Sequence, residues 1–131
     1  MKTHEYKRHK INYMSYDLDF WKYKQGVYLN NQEVYERCSD GELVEGLEIL
    51  PIEDIKKEIS RVFPDWTVNE QGDTWNPPKG KEAFQLFYTS QFVRFDCYGI
   101  KGKDMNRIID VMLSFDCPLY DPQVPQRFDE Q

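Results

Sequence analysis

Two runs that read as strong strands, Ala83 to Tyr88 and Gln91 to Tyr98, are separated only by Thr89-Ser90. Strands joined by so short a connection pair antiparallel, because a parallel return needs a crossover of a dozen or more residues. The chain is therefore committed to an antiparallel hairpin, and every other segment has to pack on it or beside it. A third run extends the sheet: Met14, Tyr16, Leu18 and Phe20 alternate with Ser15, Asp17 and Asp19, the period of a half-buried strand. Trp66-Thr67-Val68 reads as a further strand, and after the Gln25-Gly26 break Val27 to Leu29 is expected to pair back as a hairpin.

Helical signals lie between the strands. Asn30 or Asn31 caps a short helix over 32–38, where Val34, Tyr35 and Cys38 share a face before Ser39-Asp40-Gly41 ends it. A stronger helix follows Pro51, with Glu53 and Asp54 at its positive end and Ile52, Ile55, Ile59, Val62 and Phe63 forming one apolar stripe up to Pro64. Asp104 is the expected N-cap of a last helix carrying Met105, Ile108, Ile109, Met112 and Phe115. Residues 42–50 fit either a helical turn or an extended piece.

The longest breaker-rich stretch, Glu70 to Lys81, contains Gly72, Pro77, Pro78 and Gly80 and predicts an exposed loop carrying Trp75. From Pro118 onward, three prolines in eight residues predict an extended tail lying across the body through Leu119, Tyr120 and Phe128. Helices able to cover one face of an antiparallel sheet imply a two-layer α+β domain of about four or five strands packed by two main helices. At 131 residues there is room for one such domain. It is expected over 14–131, preceded by a flexible basic extension, 1–13. No apolar run reaches the roughly 18–20 residues of a membrane helix and the first residues lack a signal-peptide core, so a soluble, cytoplasmic protein is expected.

The net charge of -6 conceals an asymmetry. Lys2, Lys7, Arg8 and Lys10 stand against Glu5 in the leader, leaving 13 basic and 22 acidic residues over 14–131. Such a body repels a phosphate backbone and attracts cationic proteins, so no nucleic-acid partner is expected. Both histidines, His4 and His9, lie in the leader, which leaves the body without a base of near-neutral pKa for nucleophilic catalysis. Cys38, Cys97 and Cys117 match no zinc spacing and read as reduced core thiols. Glycines form neither a dinucleotide nor a phosphate loop, so no cofactor is expected.

Acid chemistry is the one enzymatic opening. Asp17 and Asp19 share a strand face, where two carboxylates can hold a Mg²⁺ or divide acid and base roles. The competing reading makes them solvent-facing charges that protect the sheet from aggregation. Arg94 and Asp96 share a face of their own strand and read as an ion pair.

Interaction chemistry is better represented. Nine acids, Glu33, Glu36, Asp40, Glu42, Glu45, Glu48, Glu53, Asp54 and Glu58, face three bases in residues 33–58 and form a negative patch if their helices share a side. Trp21, Tyr23, Tyr28, Tyr35 and Trp75 fall near element ends beside acids, the anatomy of a protein-binding hot spot. The candidate partner-binding set is Glu33, Glu36, Asp40, Glu42, Glu45, Glu48, Tyr35 and Trp75.

The segments MSYDLDFWK (14–22), LPIEDI (50–55), FPDW (63–66) and IIDVMLSFDCPLYDPQ (108–123) resemble a group of small bacterial proteins similar to immunity proteins of polymorphic or contact-dependent toxins. The resemblance implies a stoichiometric inhibitor that covers the active site of one cognate toxin, often a cationic nuclease. It carries no catalytic signature and transfers no site residues. The alternatives are a divalent-metal enzyme using Asp17 and Asp19, or an adaptor that binds some other protein.

Overall fold

A computed structural model describes residues 15–129. The proposed extension 1–13 and Met14 lie outside the described residues. Ten elements follow in order: β1 (Ser15–Phe20), α1 (Asn31–Ser39), α2 (Ile52–Val62), β2 (Thr67–Val68), β3 (Thr74–Asn76), β4 (Ala83–Tyr88), β5 (Val93–Tyr98), α3 (Gly102–Ser114), β6 (Leu119–Asp121) and β7 (Gln126–Arg127). The strands form one antiparallel sheet in the order β2-β3-β4-β5-β1-β6-β7. The class is α+β, as the pattern predicts, but with seven strands rather than four or five. The additions are β3, inside the breaker-rich stretch, and β6 and β7, built from the proline-rich tail. Tail and body join where the Phe128 amide donates to the Leu119 carbonyl at 2.7 Å.

Register sorts the side chains. Leu18 lies opposite Phe95, which faces Leu86, while Asp19 lies opposite Arg94, which faces Phe87. The first face carries Leu18, Phe20, Phe84, Leu86, Val93 and Phe95 against Ile55 and Ile59 of α2 and Met105, Ile108 and Met112 of α3. The reverse face carries a smaller core, in which Trp21, Phe92 and Tyr120 meet Val34 and Cys38 of α1. Helices therefore stand on both faces, and α1 covers only the β1–β6 end of the second. Toward the other end of that face Gln85 and Tyr98 are exposed.

Several local expectations change. Val27–Leu29 forms no hairpin; instead residues 22–24 pair with 46–48, through Lys24 N–H to Gly46 C=O at 2.9 Å and Glu48 N–H to Lys22 C=O at 2.8 Å. This ribbon decides the ambiguous stretch 42–50 in favour of extended chain. The last helix starts three residues early, with Lys101 at its N-cap position. Asp104, the expected cap, lies in the first turn and binds Arg107 at 2.8 Å.

Trp75 is the largest correction. It is 0% exposed, in β3, with its ring stacked on Phe84 at 5.0 Å and its indole N–H donating to Ser60 Oγ at 3.1 Å. It belongs to the first core and is not a surface anchor.

Candidate functional site: an acidic surface over a buried carboxyl

The surface is built on α1. Asn30 caps the helix by accepting the Glu33 amide at 2.9 Å, and Tyr23 O–H donates to Asn31 Oδ1 at 2.6 Å, fixing the preceding loop. The Arg37 guanidinium binds Glu42 at 3.0 Å and pulls the following loop back along the helix. Gln91, in the β4–β5 turn, accepts the Val44 amide at 2.9 Å and donates to the Val44 and Leu47 carbonyls at 3.0 and 3.3 Å. One buried amide thus fixes the segment that follows α1. Gln91→Ala strands a buried N–H and two carbonyls, and an urea titration is expected to register a loss of about 2–3 kcal/mol.

Among the described residues seven large apolar side chains are exposed, and four of them lie here: Tyr28 (82%), Ile49 (69%), Leu43 (64%) and Leu29 (41%). Glu33, Glu36, Asp40, Glu42 and Glu45 of the same segment are exposed as well, and Tyr28 lines a separate hollow with Lys22, Lys24 and Arg127. A groove of about 310 Å³ runs between the start of α1 and the following loop, lined by Leu29, Val34 and Val44 with Glu33 and Glu45 alongside. Among the described residues neither glutamate forms an ion pair. Asn30 and Arg37, the latter held by Glu42, complete the lining, and the Leu29, Val34 and Val44 surface beside the two unpaired carboxylates fits the stem and head of a lysine or arginine side chain.

The structure thus brings Glu33 and Glu45 to one groove, with Glu42 tied to it through Arg37. Glu36 is one turn along α1, hydrogen-bonded to Gln32 at 3.0 Å. Asp40 ends the helix as its C-cap. Glu48 is half-buried on the ribbon. Glu53, Asp54 and Glu58 sit on α2, against the opposite face of the sheet, so the nine-acid patch is divided. Tyr35 faces inward: it is half-buried, packs on Tyr120 at 5.6 Å and donates to Asp17 Oδ2 at 3.2 Å. Trp75 is on the far face.

Beneath α1 lies a second group. Asp17 faces Asp96 across β1 and β5, and Asp19 stands between Arg94 on β5 and Tyr120 on β6. Asp17 is half-buried, but Asp19 is 0% exposed, which overturns the expectation that both face solvent. Neither carboxyl oxygen of Asp19 meets a hydrogen-bond donor among the described residues. Burial first, then the Asp17 charge, hold Asp19 well above the ordinary carboxylate range, with Arg94 opposing. Burial likewise raises the Tyr35 and Tyr120 hydroxyls, to which Asp19 adds. Among the described residues no three Asp, Glu, His or Cys side chains gather as a metal site, and buried Asp19 offers no surface to a hydrated ion.

The three cysteines are buried, and burial lifts the Cys38 thiol to about 11 and the Cys117 thiol to about 12, a chemistry of inert core sulfur. Among the described residues no helix is long and apolar enough to cross a membrane. Gln91, Gln32 and Arg127 are structural contributors that sequence patterning does not mark. Tyr120 O–H pairs with Gln32, and Arg127 reaches the Trp21 carbonyl at 2.6 Å; both are long-range contacts with no local signal. Comparison with protein-family models, with curated proteins and with solved structures finds no match.

Proposed function

We propose that this chain is a binding protein of the immunity type, which docks a cationic toxin domain through α1 and the 40–49 segment and covers its active site. The observation that carries the reading is exposed Leu29 lining one groove with Glu33 and Glu45, while exposed Leu43 follows Glu42 on the adjoining loop. Apolar anchors supply affinity once desolvated, while the surrounding carboxylates steer a positive partner and reject a negative one. A toxin that grips nucleic-acid phosphates presents the required charge. The sequence resemblance points the same way.

The test reverses charge without touching the core. Glu36→Lys, Glu42→Lys and Glu45→Lys combined are expected to slow association with the partner about tenfold or more at low salt. Unfolding free energy is expected to stay within about 1 kcal/mol of wild type, because exposed charges and the Arg37–Glu42 surface pair contribute little. Stopped-flow mixing checks the first expectation and urea titration the second. Equal association rates for the two proteins remove this surface from the account.

A further inference from the structure

We propose that one proton shared between Asp19 and Asp17 holds α1 on the sheet, so that the surface α1 carries is regulated by pH: seated while the proton is present, loosened when it leaves. What is regulated rests on the docking reading above; the proton is argued from the burial of Asp19, its unsatisfied oxygens and Asp17 on the same strand face.

Asp19 occupies a central strand, is wholly buried, and has no donor for either oxygen among the described residues. A buried carboxylate without a donor is costly, whereas a carboxyl that gives its proton to a neighbouring carboxylate is not. Asp17 is that neighbour, two residues along the same face, and Tyr35 O–H already satisfies its Oδ2. The groups facing Asp19 come from four strands and helices. Asp17 on β1, Asp96 on β5, Tyr120 on β6, and Tyr35 and Cys38 on α1 offer it no compensating positive charge. Arg94 on β5 does, but its guanidinium is forked onto Asp96 at 2.9 and 3.3 Å and lies over the Phe87 ring at 4.4 Å.

Loss of the proton therefore leaves two like charges under α1. Water relieves them only by entering from the side that Tyr35, Cys38 and Tyr120 close. The element that yields is α1, because a nine-residue helix has little stability of its own and stays only while its packing holds. The sheet beneath, fixed by the β1–β5 and β4–β5 ladders, remains.

The experiment follows two signals by NMR in the full chain from pH 4 upward: the Asp19 carboxyl carbon, and the exchange protection of the Val34 to Cys38 amides relative to those of β5, corrected for intrinsic rates. Protection of α1 is expected to fall roughly tenfold per pH unit until Asp19 titrates, then level off, while β5, which opens only with the whole fold, stays the better protected of the two at every pH. Asp19→Asn is expected to abolish the fall. Asp17→Asn, which keeps the buried acid but removes its charged neighbour, is expected to move both signals to lower pH together. An Asp19 carboxyl titrating near pH 4, α1 protection that does not follow it, or an equal fall in Asp19→Asn overturns the proposal. No partner is needed, so this failure is distinct from failure of the docking reading, which surface charge reversals test without altering Asp17 or Asp19.

Discussion

The Asp19→Asn protein is expected to overtake wild type in stability as pH rises, with a gap that widens by about 1.4 kcal/mol per pH unit. The sign comes from burial. A carboxyl whose folded pKa is raised costs nothing below about pH 4, where both the folded and unfolded chains hold the proton. Above that, the unfolded chain releases it while the folded chain retains it, and stability drains away until the pH passes the folded value. Burial and the Asp17 charge set this direction. Asparagine removes the linkage, and its amide N–H retains a donor for the Asp17 carboxylate. Urea titrations at pH 5, 6, 7 and 8 measure the gap. Parallel curves for the two proteins mean that Asp19 ionises freely in the folded state, and the buried carboxyl described above is then wrong.

Trp75→Ala is expected to destabilise by about 3–5 kcal/mol, the range for deleting a large aromatic from a closed core. Its indole fills space between α2 and the sheet, stacks on Phe84 with an interplanar angle of 15°, and satisfies Ser60. Truncation loses the buried area, leaves a cavity and strands a hydroxyl. Trp75→Phe keeps the ring contact and is expected to cost about half as much. Urea titration separates this from a loop tryptophan, whose replacement changes stability by only about 0.5 kcal/mol.

These two residues mark where sequence reading works and where it stops. Alternation over β1 assigns Leu18 and Phe20 to one face and Asp17 and Asp19 to the other correctly, because a pleated strand sends neighbours to opposite sides whatever lies above them. It does not say which face is wet. Asp17 and Asp19 share a side as the pattern requires, yet α1, which begins twelve residues after Asp19, returns and buries one of them. Trp75 escapes for a related reason: Thr74–Asn76 is three residues long, too short to display a period, and sits among Gly72, Pro77 and Pro78, which advertise a loop. Its place is set by pairing with Phe84. The tail is similar, since its prolines exclude a helix but leave open whether the extended chain joins the sheet.

The candidate surface was legible as charge and not as shape. Counting acids over 33–58 finds Glu33, Glu42 and Glu45, but also Glu53, Asp54 and Glu58, which the turn at Pro51 carries to the other side of the sheet. Exposed Leu29, Leu43 and Ile49 lie in segments whose conformation the pattern leaves open or misassigns, because only the ribbon of 22–24 with 46–48 and the Gln91 clamp decide which of their neighbours turn inward. Tyr35 has the reverse history: its acidic neighbours suggest an interface ring, whereas its hydroxyl points down to Asp17.

The central claim is that a negative, apolar-dotted surface docks a positive protein. The direct measurement is affinity capture from the source cell with wild-type protein and the Glu36, Glu42, Glu45 reversal as paired baits, followed by the association rate of the recovered companion across ionic strength. The account predicts a basic companion lost from the reversed bait, associating with wild type at a rate that falls steeply as salt screens the charges. An acidic companion, or a basic one retained equally by both baits and indifferent to salt, contradicts it.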